Sequence, residues 1–126
     1  MAGWDNSVYR QTNGGASPAT PDSGQGTCIA WWGAGPHGVD WLDELWKAGK
    51  AFWIGDSPGY PCDYTAMARD LVPNIVDRPP HFLPVNGSVL VYPPDGIVRD
   101  TASIDRDALA ACRPDEWLIV EAWDRS

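Results

Sequence analysis

Basic side chains are scarce in this chain of 126 residues. Two Lys and seven Arg stand against fourteen Asp and three Glu, which leaves a formal net charge of −8. No run of Lys or Arg offsets that balance, so direct binding to nucleic acid, which needs clustered cations, is not expected. Long apolar runs are missing too: nothing approaches the ~18 consecutive apolar residues of a membrane-spanning helix. Residues 1–5 have neither the basic nor the apolar stretch of a secretory signal. Cysteine is limited to Cys28, Cys62 and Cys112, an odd number at wide spacing. Reduced thiols in a cytoplasm fit that usage better than a disulfide framework. No C-x-x-C or H-x-x-x-H spacing, Walker loop or G-x-S-x-G elbow occurs, so no metal site is expected and no catalytic constellation is legible.

Aliphatic residues are few as well. Leu, Ile, Val and Phe number 24, at the edge of the disorder-prone range of about 20 % of a chain. Eight Trp compensate, because each can bury roughly 150–250 Å². Length and composition together predict one small domain. The many Arg, Ala, Gly, Pro and Asp beside so few Lys suggest bacterial or phage coding.

Residues 10–27 are rich in Gly, Ser, Pro and Thr, and predict a flexible N-terminal tail over 1–26, with Trp4 and Tyr9 as a possible docking segment. The globular domain is expected over 27–126. Its elements read as a strand at 28–32, a helix at 40–48 and a strand at 51–54. A second helix follows from Asp63 to Pro73, then a strand at 88–92 and a possible hairpin arm at 97–98. A third helix is capped by Ser103, and a last strand runs over 116–123. That last strand is apolar on both faces, which predicts a central position. The order is β-α-β-α-β-(β)-α-β: a small α/β or α+β domain with a mixed sheet and about three helices. Trp41, Trp46, Trp53, Trp117 and Trp123 fall on these elements and are expected in the core.

One motif carries chemistry. Gly33, Gly35 and Gly38 match G-x-G-x-x-G, between an expected strand and an expected helix. Asp56 follows at the end of the next strand. Residues 29–56 thus resemble the dinucleotide-binding βαβ unit of FAD- and NAD-dependent oxidoreductases. The resemblance implies a phosphate turn at Gly33, Gly35 and Gly38 and a ribose ligand at Asp56. Leu42 and the surrounding Trp depart from that pattern. Cys62, read as the start of a helix, is a candidate nucleophile, since a helix N-terminus lowers a thiol's pKa.

Two functions follow. An acidic, cytoplasmic chain with aromatic anchors fits a protein-binding module of the inhibitor, toxin-immunity or accessory-subunit kind, with no cofactor and a basic protein partner. Trp4 and Tyr9 are then candidate partner contacts. The alternative is a small FAD- or NAD-binding protein using the glycine turn. The balance leans away from an enzyme.

Overall fold

The computed structural model describes residues 3–35, 37–54, 62–76, 80, 96–99 and 102–124. They form a seven-stranded sheet and three short helices. The strands are β1 (Trp4–Gln11), β2 (Gln25–Ala34), β3 (Ala51–Trp53), β4 (Cys62–Met67), β5 (Gly96–Arg99), β6 (Ala102–Asp105) and β7 (Trp117–Asp124). The helices are α1 (Asp40–Lys47), α2 (Ala68–Ile75) and α3 (Arg106–Ala111). Across the sheet the strands run β3-β4-β7-β1-β2-β6-β5. The small single domain with three helices is therefore as expected, and of α/β and α+β it is α+β. Every pairing among the described residues is antiparallel, so the mixed character expected of the sheet is not found there.

The largest difference lies at the N-terminus. Trp4–Gln11, expected in a tail, is a strand inserted between β7 and β2. Apolar pattern could not show it, because Asn6 takes one of its three inward positions between Trp4 and Val8. The Asn6 amide is buried and donates to the Gly38 carbonyl at 3.1 Å. What holds β1 is a ladder on both edges, which satisfies its backbone donors and acceptors.

The Gly-rich stretch after β1 is also fastened down. Gly14 and Gly15 take φ of 90° and 72°, open to glycine. The Gly15 carbonyl accepts from the Trp117 amide at 2.8 Å. Farther on, the Ala19 amide donates to Thr65 Oγ1 at 3.0 Å. Two irregularities in the β1–β2 register accompany this curl of the hairpin onto the sheet.

Other boundaries move for local reasons. The region expected to begin a helix at Asp63 is β4, and α2 starts only at Ala68. Tyr64, Thr65 and Met67 suit a pleated surface, and β3 and β7 flank them. Ser103 lies in β6, while Asp105 caps α3, accepting from the Ala108 amide at 2.9 Å. Val39 occupies the N-cap of α1, with Asp40 and Asp43 in its first turn. Gly49, with φ of 75°, follows that helix in the left-handed conformation that ends it. β7 lies inside the sheet, as its two apolar faces required. The strand expected at 88–92 lies outside the described residues.

The core sits between one face of the sheet and the helices. Val8, Ala30, Trp32, Leu118, Val120, Tyr64 and Ala66 meet Trp41 and Leu42 of α1, Leu71 and Ile75 of α2, and Leu109 of α3. Trp32 is fully buried and tilts against Trp41 at 5.8 Å between ring centroids. No helix among the described residues is long and apolar enough to cross a membrane.

Candidate functional site

The glycine turn comes first, because its geometry can be read directly. Gly33 lies within β2, opposite Asp5. Gly35 and Gly38 are buried, and the Gly38 amide donates to the Gly35 carbonyl at 3.0 Å. The Gly38 carbonyl accepts from Asn6 and from the Trp41 indole, both at 3.1 Å. A Cβ on Gly38 would stand 2.6 Å from the Ala34 Cβ and 3.0 Å from the Trp4 Cβ. The third glycine thus serves close packing of the turn on the sheet. A dinucleotide-binding βαβ unit also needs its two strands side by side and parallel. Here β2 and β3 are separated by β4, β7 and β1. That unit is not formed, because β1 takes the place beside β2 and α1 carries the chain to the sheet's far edge. Asp56 lies outside the described residues.

Cys62 is likewise not at a helix start. It opens β4 opposite Ala122, half-buried and packed against the core, so the reason for reading it as a nucleophile at a helix start falls away. Burial pushes the thiols of Cys28 and Cys112 upward. Cys28 is exposed as a residue, yet its Sγ turns in toward the Ala30 carbonyl at 3.5 Å. No cluster among the described residues could hold a metal ion.

Trp4 is half-buried against the core. Tyr9 is half-buried on the opposite face of the sheet, where burial raises its hydroxyl, helped by Cys28, Glu121 and Asp63. Of the five Trp expected in the core only Trp41 is fully there. Trp46, Trp53 and Trp123 are 43 %, 37 % and 41 % exposed, and Trp117 is half-buried. Trp31 and Phe52 are exposed too.

These aromatics form two patches. At one edge of the sheet Trp46 of α1 stacks on Trp53 of β3, with centroids 5.1 Å apart and planes 13° off parallel. The second patch lies on the face the helices leave uncovered. Strand register builds it in rows. One row reads Trp31, Ser7, Glu121, Asp63, and the next reads Gly33, Asp5, Trp123. Beside them stand Tyr9, Ile119 and Thr65, the last two buried under the curled hairpin.

The electrostatics of this face are one-sided. Asp5, Asp63 and Glu121 project there, and no Lys, Arg or His does among the described strand positions. Arg10 points the other way and pairs through two 2.9 Å bonds with the buried Glu116. Among the described residues Glu121 accepts from two neutral donors, Trp123 Nε1 at 2.7 Å and Gln25 Nε2 at 2.8 Å. Burial and then the Glu121 charge push Asp63 up to about 6. Its Oδ1 is shut off from water without a hydrogen-bond donor. An ionised Asp63 set against Glu121 with no donor on its Oδ1 costs stability, and groups perturbed in this way cluster at functional sites.

Sequence alone does not bring out Asp63, Glu121, Trp31 and Trp123 as a group. A signal was present in β7: Glu121 interrupts the face that carries Trp117, Ile119 and Trp123. Comparison of the chain with family models, curated proteins and solved structures finds no match.

Proposed function

We propose that this protein is a small, cytoplasmic, acidic protein-binding module that engages a basic partner, in the manner of an inhibitor, an immunity protein or an accessory subunit. The observation that carries this reading is the outward placement of Trp31, Trp46, Phe52, Trp53 and Trp123 on a domain with net charge −8. Aromatic side chains anchor interfaces, because they offer large contact area at small entropic cost. The acidic field steers a basic partner and makes encounter salt-sensitive. Tyr9 stands half-buried on the acidic face of the sheet, and Trp4 packs beneath it against the core.

Affinity capture from the native host tests the reading. Wild type, Trp31→Ser/Trp123→Ser and Trp46→Ser/Trp53→Ser are used as parallel baits. A basic protein should bind the wild type, elute at roughly 0.5 M salt, where screening shortens to about 4 Å, and be lost with one double variant. Equal capture by all three baits overturns the proposal.

A further inference from the structure

We infer that the basic partner docks on the uncovered face of the sheet, placing a Lys or Arg side chain against the cross-strand pair Asp63–Glu121 beside Trp31 and Trp123, and that docking displaces a proton from that pair. The inference rests on the protein-binding reading and adds the surface, the chemistry of the contact and its regulation.

Charge complementarity selects the occupant. The rows Trp31, Ser7, Glu121, Asp63 and Gly33, Asp5, Trp123 gather three carboxylates and two exposed indoles, with no cation among the described strand positions of that face. Neighbouring strands are about 4.8 Å apart, so Trp31 and Asp63 stand about 14 Å from each other. One segment of a partner can therefore touch both the indoles and the acid pair. A guanidinium or ammonium fits both surfaces: it stacks on an indole face and pairs with a carboxylate. A second copy of this chain fits poorly, since a two-fold face-to-face contact would set three acids against the same three acids.

The proton follows from what surrounds Asp63. Glu121 faces it from β7 and Tyr9 from β1. The Ile54 amide on the β3 side bonds its backbone carbonyl rather than its carboxylate, whose Oδ1 has no donor. Among the described residues every ionisable neighbour is acidic or neutral, and Asp63 retains its proton up to about pH 6. A cation from outside reverses that balance, and by linkage proton and cation oppose one another.

The test titrates an (Arg-Gly)4 peptide into ¹⁵N-labelled protein at pH 7.5 and pH 5.0, following the indole N–H signals. The signals of Trp31 and Trp123 should move while those of Trp46 and Trp53 stay. Affinity should fall about tenfold at the lower pH, the effect of one nearby charge at intermediate dielectric. Asp63→Asn should bind equally at both pH values. Asp107→Asn, which changes the net charge equally from α3, should keep the pH dependence. Thermal melts establish that both variants are folded. Several results would overturn the inference while leaving the protein-binding reading intact: pH-independent binding by the wild type, identical behaviour of the two variants, or shifts confined to Trp46 and Trp53. Dimerisation of the free protein lost on Trp31→Ser/Trp123→Ser would do the same. No binding at either pH overturns both.

Discussion

Gly38 and Asp63 show how much rests on single side chains, or on the lack of one. Gly38 has no room for a Cβ: Ala34 Cβ, the Gly35 carbonyl and Trp4 Cβ would all lie within 3.0 Å. Gly38→Ala should cost about 1–3 kcal/mol through forced backbone shifts, measured by urea denaturation. Asp63 pulls stability in a pH-dependent direction. Its folded-state value of about 6 lies above the ordinary 3.8, so between those pH values the folded state holds a proton that the unfolded chain has lost. Stability falls as pH rises through that window, and the loss is complete above it. The group is partly solvated, so the effect at neutral pH is held to about 1 kcal/mol. Asp63→Asn should remove it, giving a higher Tm at pH 7.5 and a flatter stability profile between pH 4 and pH 6.5.

Among elements, β1 decides most. It pairs with β2 on one edge and β7 on the other, so its removal would split the sheet into two parts. Deletion of residues 1–11 should abolish the cooperative thermal transition, which circular dichroism would register; a tail in the same place would be dispensable. Arg10 ties the same strand to the turn before β7 through the buried Glu116. Arg10→Ala leaves that carboxylate buried and unpaired, and should cost about 3 kcal/mol. Denaturant midpoints of the wild type and variant give that difference. The helices were easier to read than the strands. α1 shows its apolar stripe and its terminal glycine plainly, whereas α3 begins later than expected because pairing with β2 and β5 claims residues 102–105 for β6.

For the whole molecule the unequal placement of charge and aromatic surface matters most. All three helices cover one face of the sheet, and the other face keeps its acids and indoles. Association with a basic partner should slow at least tenfold between 20 mM and 500 mM salt, because steering is screened; stopped-flow fluorescence of the tryptophans measures it. A rate indifferent to salt would remove electrostatic steering from the account.

The sequence alone determined the acidic balance, the single small domain, α1 and the central place of β7, because composition and the spacing of apolar residues are local properties. It also brought out the glycine spacing, but not its purpose. Only the tertiary structure decided that Trp4–Gln11 is a strand, since its inward positions include Asn6 and its support comes from residues about 25 and 115 positions away. The same is true of the site. Asp63 and Glu121 are 58 residues apart in sequence and face each other only through the β4–β7 register. Trp46, Trp53 and Trp123 sit on regular elements as read, yet stand at the surface, because which side of an element meets the core is fixed by the neighbours it acquires on folding.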